Sequence, residues 1–405
     1  MAEIVHQTEA APQAPSAALI AVVAFAAGSL VANLYYAQPL IGSIAPAIGI
    51  SVEYAGAIVS VTQIGYGLGL LFLVSLADRV ENRRLVLSLM GLTALGLAGV
   101  AFSTHVVPFF IASLLVGLCS CGAQVLIPFA VSLVPPKARG RVIGNVMAGA
   151  LSGIMLARPL SLFVASAFGW RAIFVLSAVV MLAVAGLLAR LMPHHRPQTG
   201  LSYGAILLSM ADLLKTLPVL RWRSLYQALL FAAFHLLWTA APLMLAERFG
   251  LSDRAIGLFA LAGAGGALAA PLAGRLADAG RSGLATVLSM LLVGVGSLVS
   301  GWAAAGGMLI SLAVLMVVVD AAVQTNQVVS QRIIFAAPAA VRGRVNGVYM
   351  TLVFVGGAIG SMLGTLTYHH GGWAATAATG TALGLGALAL YGLETRAAGR
   401  QKAGA

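Results

Sequence analysis

Two stretches of the sequence lie 203 positions apart and share an Arg-Gly-Arg-Val start, several glycines and a final tryptophan. They read ARGRVIGNVMAGALSGIMLARPLSLFVASAFGW (residues 138–170) and VRGRVNGVYMTLVFVGGAIGSMLGTLTYHHGGW (residues 341–373). Each begins with Arg-Gly-Arg-Val after its first residue and then runs on with mostly apolar residues. Since a helix needs about 20 apolar residues to cross a bilayer, each stretch predicts one membrane span. Their similarity indicates a duplicated chain.

The composition gives the class of protein. Of the 405 residues, 60% are hydrophobic and only 8% are charged, whereas a soluble domain carries about 25% charged residues. A soluble globular enzyme and a disordered chain are therefore excluded, and a polytopic membrane protein is predicted. The net charge of +12 lies in short connectors between apolar runs, so no nucleic-acid partner is expected. Cys119 and Cys121 lie in one apolar run and predict neither a disulfide nor a metal site.

Twelve apolar runs are long enough to cross a membrane, and backbone satisfaction in lipid predicts that they are helices. The fold class is therefore all-α integral membrane, with two parallel six-helix repeats. The predicted spans, numbered 1 to 12, are 17–47, 54–76, 84–104, 107–134, 142–168, 171–192, 222–247, 255–276, 283–305, 308–334, 344–368 and 372–393.

The distribution of basic residues predicts the orientation. All but four of the 23 Lys and Arg lie in the connectors and tail that share one side, so both termini are expected in the cytoplasm. The expected location is the plasma membrane, in bacteria the inner one. Residues 201–217 predict an interfacial helix in the connector. The expected divisions are a cytoplasmic tail (1–16), an N-terminal bundle (17–192), a linker (193–221), a C-terminal bundle (222–393) and a second tail (394–405).

Further matches at the same offset support parallel repeats. Pro39 corresponds to Pro242, and Gln124 corresponds to Gln327. Such a duplication predicts a site between the halves near the bilayer midplane, reached alternately from either side. The alternative is a scaffold of two permanently packed bundles.

The connector after span 2 carries a family signature. Residues 74–83 read Val-Ser-Leu-Ala-Asp-Arg-Val-Glu-Asn-Arg, and residues 274–281 read Gly-Arg-Leu-Ala-Asp-Ala-Gly-Arg. This pattern, with the repeated six-span halves, resembles the major facilitator superfamily, although Val74 and Glu81 replace the glycines of its motif in the first copy. The resemblance implies a transporter without a cofactor, driven by a proton gradient, with a small-molecule substrate, and a monomer is expected. A carboxylate at a helix end pairs well with exposed amides and arginines. The expected cytoplasmic gate is Asp78, Arg79, Arg83, Asp278 and Arg281.

Only Arg158 and Asp320 are charged residues deep within spans. A charge at the bilayer centre costs about 2.5–3.5 kcal/mol on insertion scales. Counting about 1.5 Å per residue from the span ends places the two at similar depths in opposite halves, so that a charge pair across the cleft is possible. Asp320, Gln324, Gln327 and Gln331 form one stripe on a helix face. We expect Asp320, together with Arg158, to couple transport to protons; the alternative is a static buried ion pair.

Aromatic and amide side chains before the matched prolines of spans 1 and 7 are the other cavity candidates, because rings and amides suit an amphipathic ligand. Each could instead pack in the core. We interpret His235 as a hydrogen-bonded helix residue rather than as a proton relay. The predicted cavity residues are Asn33, Tyr35, Tyr36, Gln38, Gln124, His235, Trp238, Gln324 and Gln327.

The branch of the family is indicated by span 5. Gly149, Gly153 and Ala157 keep the small-residue spacing of drug:proton antiporters, but Arg158-Pro159 replaces Gly-Pro and span 4 lacks an arginine. The chain therefore resembles a divergent branch near the drug and sugar exporters, which implies proton-coupled export of a small amphipathic compound. The alternative is uptake of an organic anion with Arg158 as its counter-ion. A membrane enzyme is disfavoured, because no catalytic motif lies in a plausible setting.

Overall fold

A computed structural model describes residues 16–77, 79–194, 202–268, 274–275, 279–338 and 341–403. Within these residues the chain is helical and contains no strand. Nine helical segments of the described chain are long and apolar enough to cross a membrane, and the last of them, Arg342–Arg396, covers two predicted spans. The predicted all-α membrane fold is confirmed, whereas the count of twelve spans stays a prediction. The span numbers are kept below for the helices that occupy these ranges.

Six spans are single helices: Asn82–Phe102 (span 3), Pro136–Phe168 (span 5), Arg171–Leu191 (span 6), Pro218–Phe249 (span 7), Ser282–Ala305 (span 9) and Leu309–Ile334 (span 10). Span 4 consists of Val106–Ser120 and Gly122–Ser132. Spans 11 and 12 form Arg342–Ala403, which bends where Gly371 and Gly372 leave the helical conformation. The connector helix is Tyr203–Thr216, within one or two residues of the predicted interfacial helix.

Spans 1, 2 and 8 are irregular. Span 1 comprises Ala17–Ala32, the 3-10 turn Gln38–Leu40 and Ile41–Ile48, and the break falls where Pro39 lacks a backbone donor. Span 2 comprises Val52–Tyr54, Gly56–Leu68, the π-helical turn Gly69–Leu73 and Val74–Leu76. Span 8 begins as Asp253–Ala262 and tightens into the 3-10 segment Gly263–Leu268.

Glycines bring the backbones of neighbouring spans into contact in both repeats. In the first half, a Cβ atom on Gly153 of span 5 would meet the carbonyl of Gly28 in span 1. In the second half, a Cβ atom on Gly356 of span 11 would meet the carbonyl of Ala228 in span 7. Gly153 and Gly356 are 203 positions apart, so the repeats use the same position for the same close contact, as small residues do in membranes.

Candidate functional site

A cavity of about 420 Å³ lies between the two halves. Its first-half wall comes from spans 1, 2, 4 and 5, and its second-half wall comes from spans 7, 8, 10 and 11. The lining combines aromatic rings, methionines and amides with two charged groups, Arg158 and Asp320. Apolar walls with a few convergent polar groups are typical of small-molecule sites.

Arg158 lies on span 5 and is only 5% exposed. Its Nε donates a hydrogen bond to Oε1 of Gln38 at 2.9 Å. Its guanidinium carbon lies 4.5 Å from the ring centre of Trp238, 5.0 Å from Phe234 and 5.3 Å from Tyr35. Three rings therefore surround the cation and stabilise it through cation–π contacts. Its Nη2 is buried without a hydrogen-bond partner in the described part of the chain.

Asp320 lies on span 10 and is 4% exposed. Its Oδ1 accepts a hydrogen bond from the indole Nε1 of Trp238 at 2.8 Å. The 3-10 segment of span 8 packs against it, and a Cβ atom on Gly266 would collide with the Cβ atom of Asp320. Glycine in span 8 is therefore required for this backbone to approach the carboxyl group.

The direct charge pair that the depths allow is not formed. Among the described residues, no ion pair within 4.0 Å joins Arg158 to Asp320. Instead both groups contact Trp238, which offers its ring face to the guanidinium and its N–H to the carboxyl group. The two charged groups contact the same tryptophan, so the indole joins them in place of a direct ion pair.

The polar stripe of span 10 lines the cavity over its whole length. Asp320, Gln324, Gln327 and Gln331 are all lining residues, so the predicted common face is the face toward the cavity. Gln331 donates from Nε2 to Oδ1 of Asn346 at 3.3 Å. On the opposite wall, Gln124 donates from Nε2 to the hydroxyl of Tyr66 at 3.3 Å.

The cavity candidates of spans 1 and 7 fall into three groups. Asn33 and Tyr36, three residues apart, lie toward span 6, where Ser177 donates to Oδ1 of Asn33 at 2.6 Å. Tyr35 and Trp238 lie against Arg158 at the cavity end. Gln38 and His235 lie where the two halves meet.

The polar contacts where the halves meet form what we call the seam. Gln38 donates to Oγ1 of Thr239 at 3.1 Å, joining span 1 to span 7. Gln63 of span 2 lies with its Nε2 2.9 Å from Nε2 of His235. Ser60 donates to the carbonyl oxygen of Ala358 at 2.6 Å. The seam closes the cavity behind Arg158.

One end of the molecule carries residues 79–84, 139–141 and 342–344, and we call it the basic end. The seam lies toward the opposite end. The cavity extends from Asp320 to Gln331, Phe335 and Asn346, and shares Phe335 and Asn346 with a second cavity of about 340 Å³ lined by Arg342 and Arg344. At the opposite end, Nε2 of His370 lies 3.2 Å from Oε1 of Glu53, a contact between the halves. The cavity thus opens toward the basic end.

The expected gate is described only in part. Asp78 and Asp278 lie outside the described residues. Arg83 contacts Nε2 of His194, at the start of the linker, at 3.0 Å and the carbonyl of Ala189 in the first half. Arg79 and Arg281 are exposed.

Several residues of the site carried no sequence signal strong enough to single them out. Gln63, Tyr66, Phe231, Phe234 and Asn346 are polar or aromatic residues within apolar runs, where core packing is the common use. The glycine-rich segment Gly263–Leu268 was the available clue, because irregular backbone at membrane depth lines cavities.

A cavity between two repeated helical halves, closed at one end and open at the other, is the architecture of a solute transporter. The sequence profile described as Major Facilitator Superfamily matches residues 18–327 and, in an overlapping second match, residues 223–405. The chain therefore belongs to the Major Facilitator Superfamily.

Two relatives and one solved structure agree with this assignment. The chain is 39% identical over 374 residues to YgaY, an uncharacterized transporter of Escherichia coli O157:H7. The aligned region covers 91% of this chain and 94% of YgaY. It is 33% identical over 346 residues to SCO4007, a probable transporter of Streptomyces coelicolor, over 84% of this chain and 79% of the relative. The structure of a bacterial homolog to the human lysosomal transporter Spinster, inward-facing and occupied, matches with a TM-score of 0.71 at 15% identity, over 94% of this chain and 96% of that one.

The family and these relatives confirm the predicted class, a membrane transporter of small molecules rather than an enzyme. At 15% identity the solved structure shows the fold alone. No cluster of His, Cys, Asp or Glu able to hold a metal ion occurs among the described residues.

Proposed function

We propose that this protein is a proton-coupled transporter that exports a small amphipathic organic compound by alternating access. The observation that carries the proposal is the environment of Asp320. This carboxyl group is buried at the inner end of the cavity, accepts one hydrogen bond from Trp238, and has no ion-pair partner within the described chain.

Burial of an unpaired carboxylate costs free energy that protonation removes. A carboxyl group in a cavity that opens alternately to two compartments can therefore take up a proton on one side and release it on the other. The amide stripe from Gln324 to Gln331 lines the cavity between the basic end and Asp320 and offers a path for the proton. Asp320 carries the proton in this proposal, and Arg158 acts on its charge through the shared Trp238.

The cavity suits an amphipathic compound of modest size. Phe231, Phe234 and Phe354 offer apolar ring faces, while Gln124 and Gln327 offer amides on facing walls. An opening toward the basic end gives a cytoplasmic compound access to the cavity, which is the loading step of an exporter, because the charge bias puts that end in the cytoplasm. The conformation is then inward-open, with the seam closed.

The moving bodies in this proposal are the bundles 17–192 and 222–393, with both termini cytoplasmic and the protein a monomer in a bacterial inner membrane. The seam breaks when the cavity opens outward, and the gate at the basic end closes. Asp78, Arg79, Arg83, Asp278 and Arg281 form that gate.

One observation favours a second candidate, the uptake of an organic anion. Nη2 of Arg158 is buried without a partner in the described chain, and a buried unpaired donor on a cation is costly. A carboxylate on the substrate would satisfy it.

The test is transport into proteoliposomes under an imposed pH gradient, with a panel of aromatic amines, carboxylates, amino acids and sugars. The wild type is expected to move at least one class against its own gradient. Asp320→Asn is expected to exchange the same compound without accumulating it, because the amide cannot carry a proton. Asp253→Asn, at the exposed start of span 8, serves as the control and is expected to behave as wild type. Gradient-driven accumulation by Asp320→Asn contradicts the proposal.

A further inference from the structure

The closed end of the cavity, next to the seam, holds two opposite charges that are not paired with each other. Arg158 and Asp320 both line the cavity and are at least 95% buried. Each contacts Trp238, the guanidinium at the ring face and the carboxyl group at the indole N–H. Opposite charges this deeply buried normally pair with each other, because each lowers the cost of burying the other.

Both groups also retain free hydrogen-bonding capacity. Arg158 uses Nε for Gln38, while its Nη2 is buried and unpaired in the described part of the protein. Asp320 uses Oδ1 for Trp238, and its Oδ2, beside Gly263, receives no hydrogen bond from any described residue. A donor of the cation and an acceptor of the anion are thus both left unused at one end of one cavity.

The surroundings hold these groups apart. Gln38 fixes the guanidinium from the seam, and Gln38 is itself held by Thr239. Trp238 lies between a cation on its face and a carboxyl group at its edge, so a move of Asp320 toward Arg158 breaks the indole hydrogen bond. Trp238 and Gln38 are therefore positioning residues for the two charges.

We propose that the substrate of this cavity is a zwitterion that carries a carboxylate and an ammonium group. The carboxylate binds Nη2 of Arg158 once the side chains that bury this atom move aside, and the ammonium binds Oδ2 of Asp320. The apolar remainder lies against Phe231, Phe354 and Met350. This assignment rests on the proposed transport function of the cavity and names the class of compound transported.

Charge complementarity separates this class from simpler ones. An organic anion satisfies Arg158 but adds a negative charge beside Asp320. An organic cation satisfies Asp320 but adds a positive charge beside Arg158. A zwitterion satisfies both groups and leaves the site neutral, which is the cheapest way to bury charges. Since the ammonium and a proton compete for Asp320, a substrate that binds when this carboxyl group is protonated displaces the proton, which is the exchange an exporter needs.

The test measures binding without any gradient. Purified wild-type protein in detergent is heated with the standard amino acids and with ω-amino acids from 3-aminopropionate to 6-aminohexanoate, and ligand-dependent thermal stabilisation gives affinities. Each binder is compared with its N-acetyl derivative, which lacks the ammonium, and with its methyl ester, which lacks the carboxylate. The parent compound is expected to bind about tenfold tighter, or more, than either derivative.

Two variants locate the charges. Asp320→Asn is expected to bind the parent compound no more tightly than its N-acetyl derivative. Arg158→Gln is expected to bind the parent compound no more tightly than its methyl ester. Asp253→Asn and Arg171→Gln are the controls; Arg171 also lies over a tryptophan ring, 4.2 Å from that of Trp170, but outside the cavity. If a variant does not fold, the comparison of parent and derivatives on the wild type decides alone.

Stabilisation by no member of the panel, or equal binding of parent and N-acetyl derivative, overturns the assignment. This outcome is distinct from failure of proton coupling. If zwitterions bind selectively but Asp320→Asn still accumulates substrate under a pH gradient, the coupling proposal fails and the substrate assignment stands.

Discussion

The two halves of this protein use corresponding positions alike for packing and differently for charge. Gly153 and Gly356 make the same backbone contact in spans 5 and 11. Arg158 of span 5 corresponds to Ser361 of span 11, which accepts a hydrogen bond from Thr239 at 3.3 Å. Asp320 of span 10 corresponds to position 117 of span 4, a glycine whose Cβ atom would meet the carbonyl of Thr62.

The difference shows which positions carry the site. Where both halves keep the glycine, at 153 and 356, that glycine brings two helices together. Where one half has a charge, its counterpart in the other half is a small residue packed against another helix. Tyr35 and Trp238 occupy corresponding positions and are alike in one contact, because the rings of both lie against Arg158. They differ in another, because only the indole of Trp238 donates a hydrogen bond to Asp320.

The largest expected effect tests the shared packing. Gly153→Val and Gly356→Val should both prevent folding or destabilise the protein severely, because the added side chain meets the backbone of the paired span. The cost should exceed the about 1–3 kcal/mol of an ordinary overpacked core. Yield and thermal unfolding in detergent measure it.

The matched control is Gly186→Val, at a position in span 6 where a Cβ atom meets nothing within 4 Å. It should fold with nearly wild-type stability. A large effect in one half with none in the other would break the equivalence of the two helix pairs.

The aromatic pair gives the next effect. Trp238→Phe keeps a ring against Arg158 but removes the hydrogen bond to Asp320, and hydrogen bonds to charged groups are worth about 1.5–3 kcal/mol. Gradient-driven transport should therefore fall by about tenfold or more. Tyr35→Phe keeps the ring and removes only a hydroxyl, and its effect should be several times smaller. Initial transport rates in proteoliposomes compare the two, and equal losses would contradict the distinction.

A smaller effect is expected at the seam. Gln63→Leu removes the contact with Nε2 of His235 and should shift the population away from the conformation that is open at the basic end. The measurement is labelling of an introduced Gln331→Cys by a membrane-impermeant maleimide from the basic end. Labelling should slow by several-fold relative to the single Cys variant. Unchanged labelling would show that the seam does not hold this conformation.

The smallest effect belongs to the other arginine–tryptophan pair. Arg171→Gln removes a cation from the ring of Trp170, a contact worth about 0.5–1 kcal/mol when the cation is not fully desolvated, together with a hydrogen bond to the carbonyl of Ser103. The melting temperature should fall slightly, and transport should stay at the wild-type rate. A transport defect as large as that of Trp238→Phe would show that an arginine on a tryptophan does not mark the site.

The sequence predicted the spans, the repeat and the polar face of span 10, because apolar length and helical periodicity are local properties of the chain. It also predicted similar depths for Arg158 and Asp320 from the helical rise. It did not predict that Trp238 joins them, since the rotation of span 7 against spans 5 and 10 depends on packing across the halves.

Packing across the halves also decides where the predicted cavity residues of spans 1 and 7 lie. Asn33, Tyr35, Tyr36 and Gln38 surround a break in span 1, so their directions do not follow from one helical period. Two of them lie toward span 6, and the other two lie at Arg158 and the seam. The role of Gln63 was hidden because a single amide in an apolar run resembles a structural residue.

Proton movement coupled to substrate is the most direct test that an unpaired carboxyl group drives this transporter. Proteoliposomes that contain a pH-sensitive dye receive the substrate found in the panel on the outside, without an imposed pH gradient. Wild-type protein should move protons across the membrane when substrate is added, and Asp320→Asn should move substrate down its gradient with no change in the dye signal. A proton signal in Asp320→Asn equal to that of the wild type would contradict the account.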